Sequence, residues 1–233
     1  MKTDPLGLGT PGDGRFGRRS MCDTCTVTQA DVQVPTGNTY DKYQSTNPIE
    51  QRMMRGFFAA LDELLDAAAV RRSPRRVLEI GVGEGIVTQR VIERFPSAQV
   101  LGLDLPDDDL AEHWATGHLT CLFGDATTLP FPNDSFDLVL AIEVFEHVAD
   151  VEGALDELRR VCSGSLVASV PFEPIWRLGN MARGRYVRHL GNTPGHINHW
   201  TNRGFAKLIG RRFDVERRIN PMPWTMVLGT PPG

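Results

Sequence analysis

Between residues 47 and 70 the apolar positions recur at the spacing of an amphipathic helix. Asn47 suits an N-cap, Pro48 suits the first helical position, and Glu50 completes a capping-box pattern with Asn47. We therefore predict a helix that starts at Pro48 and buries one stripe against a sheet. The stripe consists of Ile49, Met53, Phe57, Leu61, Leu64 and Ala68.

From residue 76 onward, short apolar runs alternate with amphipathic segments. Apolar runs without polar alternation are typical of strands covered on both faces, and strand–helix alternation favours a parallel, doubly wound α/β sheet. The predicted strands are Arg76–Ile80, Gln99–Asp104, Leu119–Phe123, Phe136–Ile142 and Ser165–Pro171, and the predicted helices are Ile86–Phe95, Asp109–Ala115 and Val151–Val161.

After the fifth strand this alternation stops. Residues 172–200 are basic, rich in Gly and Asn, and without a clear period, so we interpret them as an insertion. A helix capped by Thr201 follows, and Phe213–Ile219 and Thr225–Leu228 have the pattern of two further strands. The prediction is a doubly wound, mostly parallel seven-stranded sheet, a Rossmann-like fold with a basic insertion after strand five.

The composition is that of a soluble globular protein, with 41% apolar and 23% charged residues. No apolar run approaches the roughly 18 residues of a membrane helix, and the polar start lacks the apolar core of a signal peptide, so we expect a cytoplasmic protein without membrane insertion. Residues 1–37 lack periodicity and are expected to be a flexible leader to a domain over 38–233. Cys22 and Cys25 have no second pair for a zinc site and are interpreted as reduced thiols.

Charge is unevenly distributed along the chain. The net charge is −4, but residues 172–233 carry ten basic and three acidic side chains, +7, which leaves −11 for residues 1–171. The basic end could be a solvated surface or could attract an anionic substrate.

A glycine-rich turn follows the first predicted strand. The strand ends at Glu79-Ile80, and Gly81-Val82-Gly83-Glu84-Gly85 leads into a helix. Glycines let the backbone turn tightly and approach a ligand closely, and a helix start offers free N–H groups. A dinucleotide fingerprint would place its third glycine at position 86, where Ile86 stands instead.

The E-x-G-x-G-x-G form resembles motif I of the class I S-adenosylmethionine-dependent methyltransferases, and further motifs follow in that family's order. Asp104 ends the second strand about twenty residues past the glycines, where a carboxylate can accept hydrogen bonds from ribose hydroxyls. Gly124-Asp125-Ala126 resembles the family's adenine-binding turn. The stretch Leu129-Pro130-Phe131 and then Asp134–Val139 resembles its approach to strand four.

The chain is thus identified as similar to this family, and to its type 11-like small-molecule enzymes. The resemblance implies that S-adenosylmethionine is the cofactor and S-adenosylhomocysteine the product. The Tyr40–Tyr43 stretch resembles segments that close over the cofactor. The implied cofactor-binding residues are Glu79, Gly81, Val82, Gly83, Gly85, Asp104, Leu105, Asp125, Ala126, Glu143 and Tyr43.

Strand four is followed by Glu143-Val144-Phe145-Glu146-His147. In a helical turn, positions 143, 146 and 147 would share one face at the carboxyl end of the sheet. One interpretation is that Glu143 lines the methionine end of the cofactor and His147 makes a structural hydrogen bond. The other is a divalent-metal site formed by Glu143, Glu146, His147 and a later histidine, with His196 preferred. This spacing resembles the E-x-x-E-H motif of small-RNA 2′-O-methyltransferases and ubiquinone-pathway O-methyltransferases.

The insertion ends in Gly195-His196-Ile197-Asn198-His199-Trp200-Thr201, which resembles a stretch over the acceptor pocket in many small-molecule methyltransferases. Histidine suits a general base for a hydroxyl acceptor. The candidate catalytic residues are therefore His196, His199 and His147. Aromatic side chains that could shape the pocket are Trp176, Tyr186 and Trp200.

Three functions remain open at this point. The first is O-methylation of a small molecule, anionic or glycosylated, resembling a natural product. The second is metal-dependent RNA 2′-O-methylation, which the basic end favours, whereas net acidity and the lack of an evident RNA-binding module argue against nucleic acid as a partner. The third is a module that binds the cofactor without turnover.

Overall fold

The computed structural model of the protein describes residues 46–70, 72–182, 184, 189–193 and 195–233. Six helices and seven strands lie in these ranges. The helices are α1 (Pro48–Ala69), α2 (Ile86–Arg94), α3 (Asp108–Thr116), α4 (Val151–Val161), α5 (Glu173–Ala182) and α6 (Asn202–Ile209). The strands are β1 (Arg76–Ile80), β2 (Gln99–Asp104), β3 (Cys121–Phe123), β4 (Phe136–Ile142), β5 (Cys162–Pro171), β6 (Asp214–Ile219) and β7 (Trp224–Thr230).

The seven strands form one sheet in the order β3-β2-β1-β4-β5-β7-β6. β1 pairs in parallel with both β2 and β4, and β7 runs antiparallel between β5 and β6. The strand order reverses at β1 and β4, so the crevice at their carboxyl ends is the place where open α/β sheets bind ligands. This confirms the predicted doubly wound, mostly parallel fold.

Both faces of the sheet are covered, as the strand β4 shows. Leu138, Leu140 and Ile142 pack in the core that contains the apolar faces of α1 and α2. The alternate residues Val139 and Ala141 pack in the core that contains those of α4 and α6. Because successive strand residues point to opposite faces, β4 is buried on both sides and reads in the sequence as a continuous apolar run.

The first helix begins where its sequence predicts. The Asn47 side chain accepts a hydrogen bond from Ile49 N at 2.9 Å, and Pro48 occupies the first turn. Phe57, Leu61 and Leu64 are fully buried, as expected. Ile49 was assigned to the buried stripe wrongly: it is 69% exposed, because the buried face of the first turns runs through Glu50 and Met54 instead.

The predicted bounds of β1, β2 and β4 agree with the structure, whereas β3 is shorter and β5 begins earlier. The main error concerns the insertion, whose first part is the helix α5. Pro174 occupies the first turn of that helix, where a proline is tolerated because its missing N–H would be unpaired there in any case. None of the described helices is long and apolar enough to cross a membrane.

Some predictions lie outside the described residues. These are the flexible leader over 1–37 with its two cysteines, the lid residue Tyr43, and Tyr186, Arg183, Arg185 and Arg188 of the insertion.

Candidate functional site

The predicted cofactor motifs lie in loops that leave the carboxyl ends of neighbouring strands. The glycine turn follows β1, Asp104 ends β2, and the Glu143–His147 stretch follows β4. Because β1 lies between β2 and β4, these loops meet at the point where the strand order reverses.

The glycine turn depends on backbone angles that other residues rarely adopt. Gly81, Gly83 and Gly85 all have positive φ, at 73°, 53° and 83°. A Cβ on Gly85 would lie 2.1 Å from a methyl carbon of Leu119, and one on Gly81 would lie 2.5 Å from a methyl carbon of Val144. The second contact places the start of the loop after β4 directly against the glycine turn.

Asp104 connects the ends of β1 and β2. Its carboxylate accepts hydrogen bonds from Gly83 N and from Leu105 N, each at 2.7 Å. Partial burial raises the pKa of this carboxyl, and the two backbone donors oppose the rise. The carboxylate therefore lies within the glycine turn, where it could meet a ligand held by that turn.

Glu79 lies beneath the turn and is only 1% exposed. Its carboxyl accepts a hydrogen bond from Thr88 Oγ1 of α2 at 2.6 Å. Burial raises the pKa of Glu79 to about 8, with a further rise from the charge of Asp104. Such a side chain supports the turn from inside the protein and tends to hold a proton.

Asp125 forms its own turn after β3. Its Oδ1 accepts from both Thr127 N and Thr127 Oγ1 at 2.8 Å, and the side chain is exposed next to half-buried Ala126. Trp114 of α3 stacks near Phe123 and donates from Nε1 to Gly83 O at 2.9 Å. This tryptophan links the glycine turn to β3, the strand that precedes the Gly124-Asp125-Ala126 turn.

Glu143 does not take the position expected from a helical turn. Its φ is +60°, a strained value for a residue other than glycine, and its carboxylate points towards β5 and β7. Oε1 accepts from Ser169 Oγ at 3.0 Å and Oε2 accepts from Trp224 Nε1 at 2.6 Å. The left-handed backbone at Glu143 explains why its carboxylate lies apart from the side chains of Glu146 and His147.

Glu146, His147 and His196 come together in what we term the histidine–carboxylate group. One donor atom from each lies within 4.8 Å of the other two, and Glu146 and His196 are buried. The rings of His147 and His196 meet edge to face with centroids 5.0 Å apart. Three of the four predicted metal ligands thus converge, whereas among the described residues Glu143 does not belong to this group.

The other candidate base, His199, lies apart from the group. It is exposed, and its Nε2 lies 2.9 Å from Asn192 Oδ1. Trp176 donates to Thr193 Oγ1 at 2.9 Å, and so helps to fold the insertion onto itself. The structure therefore separates the two histidines of the G-H-x-x-H stretch into a buried one and a surface one.

Glu173 was not found by sequence reasoning. Its Oε1 lies 2.7 Å from His196 Nδ1, and the two side chains are 4% and 7% exposed. The residue opens α5, two positions after the end of β5 and 23 positions before its partner. No spacing rule connects the two, so only the fold reveals the contact.

The end of the insertion is bound to the loop after β4. Ile197 N and Asn198 N donate to Glu146 O at 2.9 and 3.1 Å, and the Asn198 side chain donates to Phe145 O and Val148 O. We call this set of hydrogen bonds the Asn198 clamp. It fixes His196 relative to the elements that carry the cofactor motifs.

Part of the basic charge near the carboxyl end is neutralised by acids of the domain. Arg211 pairs with Glu152, and Arg212 pairs with Asp156. These arginines follow α6 and the acids lie on α4, so the pairs join two helices on the same face of the sheet. These two arginines are therefore paired with acidic side chains at the surface, and attraction of an anionic substrate by the basic end stays a prediction.

Comparison with known proteins agrees with this geometry. Residues 78–165 match the family model described as a methyltransferase domain. The chain is 36% identical over 112 residues to a demethylmenaquinone methyltransferase of Thermus thermophilus, a match that covers 46% of this chain and 51% of the relative. It is 32% identical over 134 residues to a malonyl-[acyl-carrier protein] O-methyltransferase of Halorhodospira halophila, with coverage of 48% and 45%.

The chain spans about half the length of the curated relatives it matches. Its fold is similar to the crystal structure of magnesium protoporphyrin IX methyltransferase from Synechocystis PCC 6803 with bound SAH. The TM-score is 0.60 at 15% identity, and the match covers 81% of this chain and 89% of that one. With the ordered motifs and the sheet topology, these matches identify residues 78–165 as a methyltransferase domain of the class I S-adenosylmethionine-dependent type.

Proposed function

We propose that the chain transfers the methyl group of S-adenosylmethionine to a hydroxyl oxygen of a small molecule, one that is anionic or glycosylated. The observation that carries the proposal is the position of the histidine–carboxylate group. Two of its members, Glu146 and His147, lie in the loop after β4, next to the glycine turn. Val144, packed against Gly81, is only two residues from Glu146. A base in this position would lie where the methyl donor and the acceptor meet.

In the proposed reaction the acceptor oxygen attacks the methyl carbon in line with the C–S bond. The C–O bond forms as the C–S bond breaks, and the sulfonium becomes the neutral thioether of S-adenosylhomocysteine. His196 accepts the hydroxyl proton and later releases it to solvent. Positioning of the two reactants supplies most of the rate enhancement, and a positioned base adds roughly 10²- to 10⁴-fold.

Oxygen is the preferred acceptor because a hydroxyl must lose its proton during the transfer, and a buried histidine beside two carboxyl side chains can receive it. One matched relative is an O-methyltransferase by name, and another acts by name on demethylmenaquinone. Acceptors of different chemistry thus occur on this scaffold, and the acceptor has to be identified by assay.

The two histidines of the insertion provide a matched test. His196→Gln should leave cofactor affinity within about twofold in calorimetry and lower turnover roughly 10²-fold or more, measured as S-adenosylhomocysteine formed over a panel of hydroxylated acceptors. His199→Gln alters the exposed histidine three positions on and should lower turnover far less. Equal losses in both variants would contradict the assignment of His196 as the base.

The same group has a second candidate role, as ligands of a divalent cation. Its donor set fits, because a carboxylate and two imidazoles suit Mn²⁺, Fe²⁺, Co²⁺ or Zn²⁺. His147 Nδ1 already lies 3.0 Å from Gly195 O, as is usual for histidine ligands that bind metal through Nε2. A bound cation would lower the pKa of the acceptor hydroxyl.

Metal removal distinguishes the two roles. If the cation is required, exhaustive chelation should abolish turnover, and His147→Ala should remove the response to added metal with cofactor binding retained. Unchanged turnover after chelation would exclude the metal role and leave His196 as the base. Methylation of an RNA oligonucleotide in place of the small acceptors, or cofactor binding without any turnover, would overturn the proposed function.

A further inference from the structure

Glu173 and His196 form a buried contact that neither motif nor family match includes. The family match ends at residue 165, eight positions before Glu173. The Glu173 Oε1 to His196 Nδ1 distance is 2.7 Å, and Glu173 Oε2 has no hydrogen-bond partner among the described residues. A carboxyl side chain that is only 4% exposed requires a compensating interaction, and among the described residues that interaction is with His196.

We propose that Glu173 is a positioning residue that holds His196 as the Nδ1–H tautomer. In its carboxylate form Glu173 can only accept a hydrogen bond, so in the proposed state the ring nitrogen that faces it is the donor. The nitrogen that carries the proton is set by this bond, and Nε2 then keeps the lone pair. This function rests on the proposed role of His196, since either a base or a metal ligand needs a free lone pair on the nitrogen that faces the reaction.

His147 supports this assignment through a parallel arrangement. Its Nδ1 lies 3.0 Å from the carbonyl oxygen of Gly195, which can only accept, so His147 also donates from Nδ1 and keeps its lone pair on Nε2. The two rings meet edge to face, and one donor atom of each lies within 4.8 Å of a Glu146 oxygen. In both rings the Nδ1 atom thus faces an acceptor outside the histidine–carboxylate group, Gly195 O for His147 and Glu173 Oε1 for His196.

The position of Glu173 in the chain adds a second consequence. Glu173 N donates to Trp200 O at 3.3 Å, and Phe172 forms a bridge with Trp200. The residue therefore holds the start of α5 against the end of the insertion, while its side chain orients the histidine between them. Loss of the Glu173 side chain should disturb His196 more than the glycine turn, because that turn follows another strand, β1.

The tautomer can be read directly by long-range ¹H–¹⁵N correlation spectroscopy of the full chain labelled on histidine, at pH 8 and without acceptor. The signals of His196 are assigned by their loss in His196→Gln. The expected pattern is that of an Nδ1–H ring. Glu173→Gln can still accept through its amide oxygen and should retain this pattern. Glu173→Leu should convert a large share of the ring to the other tautomer.

Turnover provides a second readout. Glu173→Leu should lose roughly ten- to a hundredfold in kcat, the usual effect of removing an outer partner of a functional histidine, with cofactor affinity within twofold. Glu173→Gln should recover most of that loss. An Nε2–H or doubly protonated His196 in the parent protein would overturn the proposal. A Glu173→Leu protein with unchanged tautomer and unchanged kcat would also overturn it.

The tautomer measurement stands independently of folding and of the proposed function. If Glu173→Leu does not fold, the parent spectrum and the kcat of Glu173→Gln decide the outcome. If the parent shows the Nδ1–H pattern but methylates no hydroxyl acceptor, the proposed function fails and the role of Glu173 in fixing the ring remains.

Discussion

Replacement of Glu79 by glutamine should change the pH dependence of folding. This carboxyl lies beneath the glycine turn at 1% exposure, and burial raises its pKa from 4.5 to about 8. The folded chain therefore keeps a proton that the unfolded chain releases between those two pH values. The stability that this retained proton gives to the folded chain is fully present below pH 4.5 and is lost as the pH rises to about 8.

The size of the effect follows from this difference in pKa. Each pH unit between the two values removes about 1.4 kcal/mol from the free energy of unfolding. Glu79→Gln keeps the shape and an oxygen that can accept from Thr88 Oγ1, but it has no charge to bury. Relative to the parent chain, its free energy of unfolding should therefore rise by roughly 4 kcal/mol between pH 5 and pH 9.

The assay is urea denaturation of the cofactor-free chain, followed by circular dichroism at pH 5, 7 and 9 and extrapolated linearly to water. Glu93→Gln is the matched control, because Glu93 is an exposed acid on the adjacent helix α2. That variant should follow the parent chain at every pH. If the difference between Glu79→Gln and the parent is the same at pH 5 and pH 9, burial of a protonated acid at this position is refuted.

Three further changes test the cofactor turn and the insertion. Asp104→Ala should weaken S-adenosylmethionine binding tenfold or more, since hydrogen bonds to a charged group contribute about 1.5–3 kcal/mol, and calorimetry showing unchanged affinity in a folded variant would contradict the ribose assignment. Gly85→Ala should lower stability by about 1–3 kcal/mol because φ is +83°, and an unchanged urea midpoint would show that the turn tolerates a side chain. Combined alanine replacement in the insertion should impair acceptor turnover and leave cofactor affinity nearly intact, whereas equal losses would remove the division of roles. The residues replaced together are Arg183, Arg185 and Arg188.

The sheet could be predicted closely because its signals are local. β1, β2 and β4 are short runs buried on both faces, and the glycine turn and Asp104 stand at fixed distances from their ends. Cofactor contacts in this fold depend on loops directly attached to strands, so their residues are close in sequence to recognisable elements.

The acceptor side could not be predicted to the same depth, for identifiable reasons. The sequence placed Glu143 on one helical face with Glu146 and His147, but a positive φ at Glu143 turns its carboxylate towards Ser169. Nothing in the local pattern indicates that angle. The contact of Glu173 with His196 depends on where the chain returns after 23 residues. The helix α5 was missed because residues 172–200, basic and rich in Gly and Asn, were interpreted as an insertion without a clear period.

The Asn198 clamp has a consequence for how this protein could be redesigned. The end of the insertion is bound to the loop after β4 by backbone hydrogen bonds and by the Asn198 side chain, so replacement of Asn198 should shift His196. The outer surface of α5 has no such attachment at Leu178 and Met181, which are 62% and 38% exposed. Grafting or randomising that outer surface should therefore be the economical route to a new acceptor range, whereas exchange of residues 195–200 should abolish catalysis before it alters selectivity.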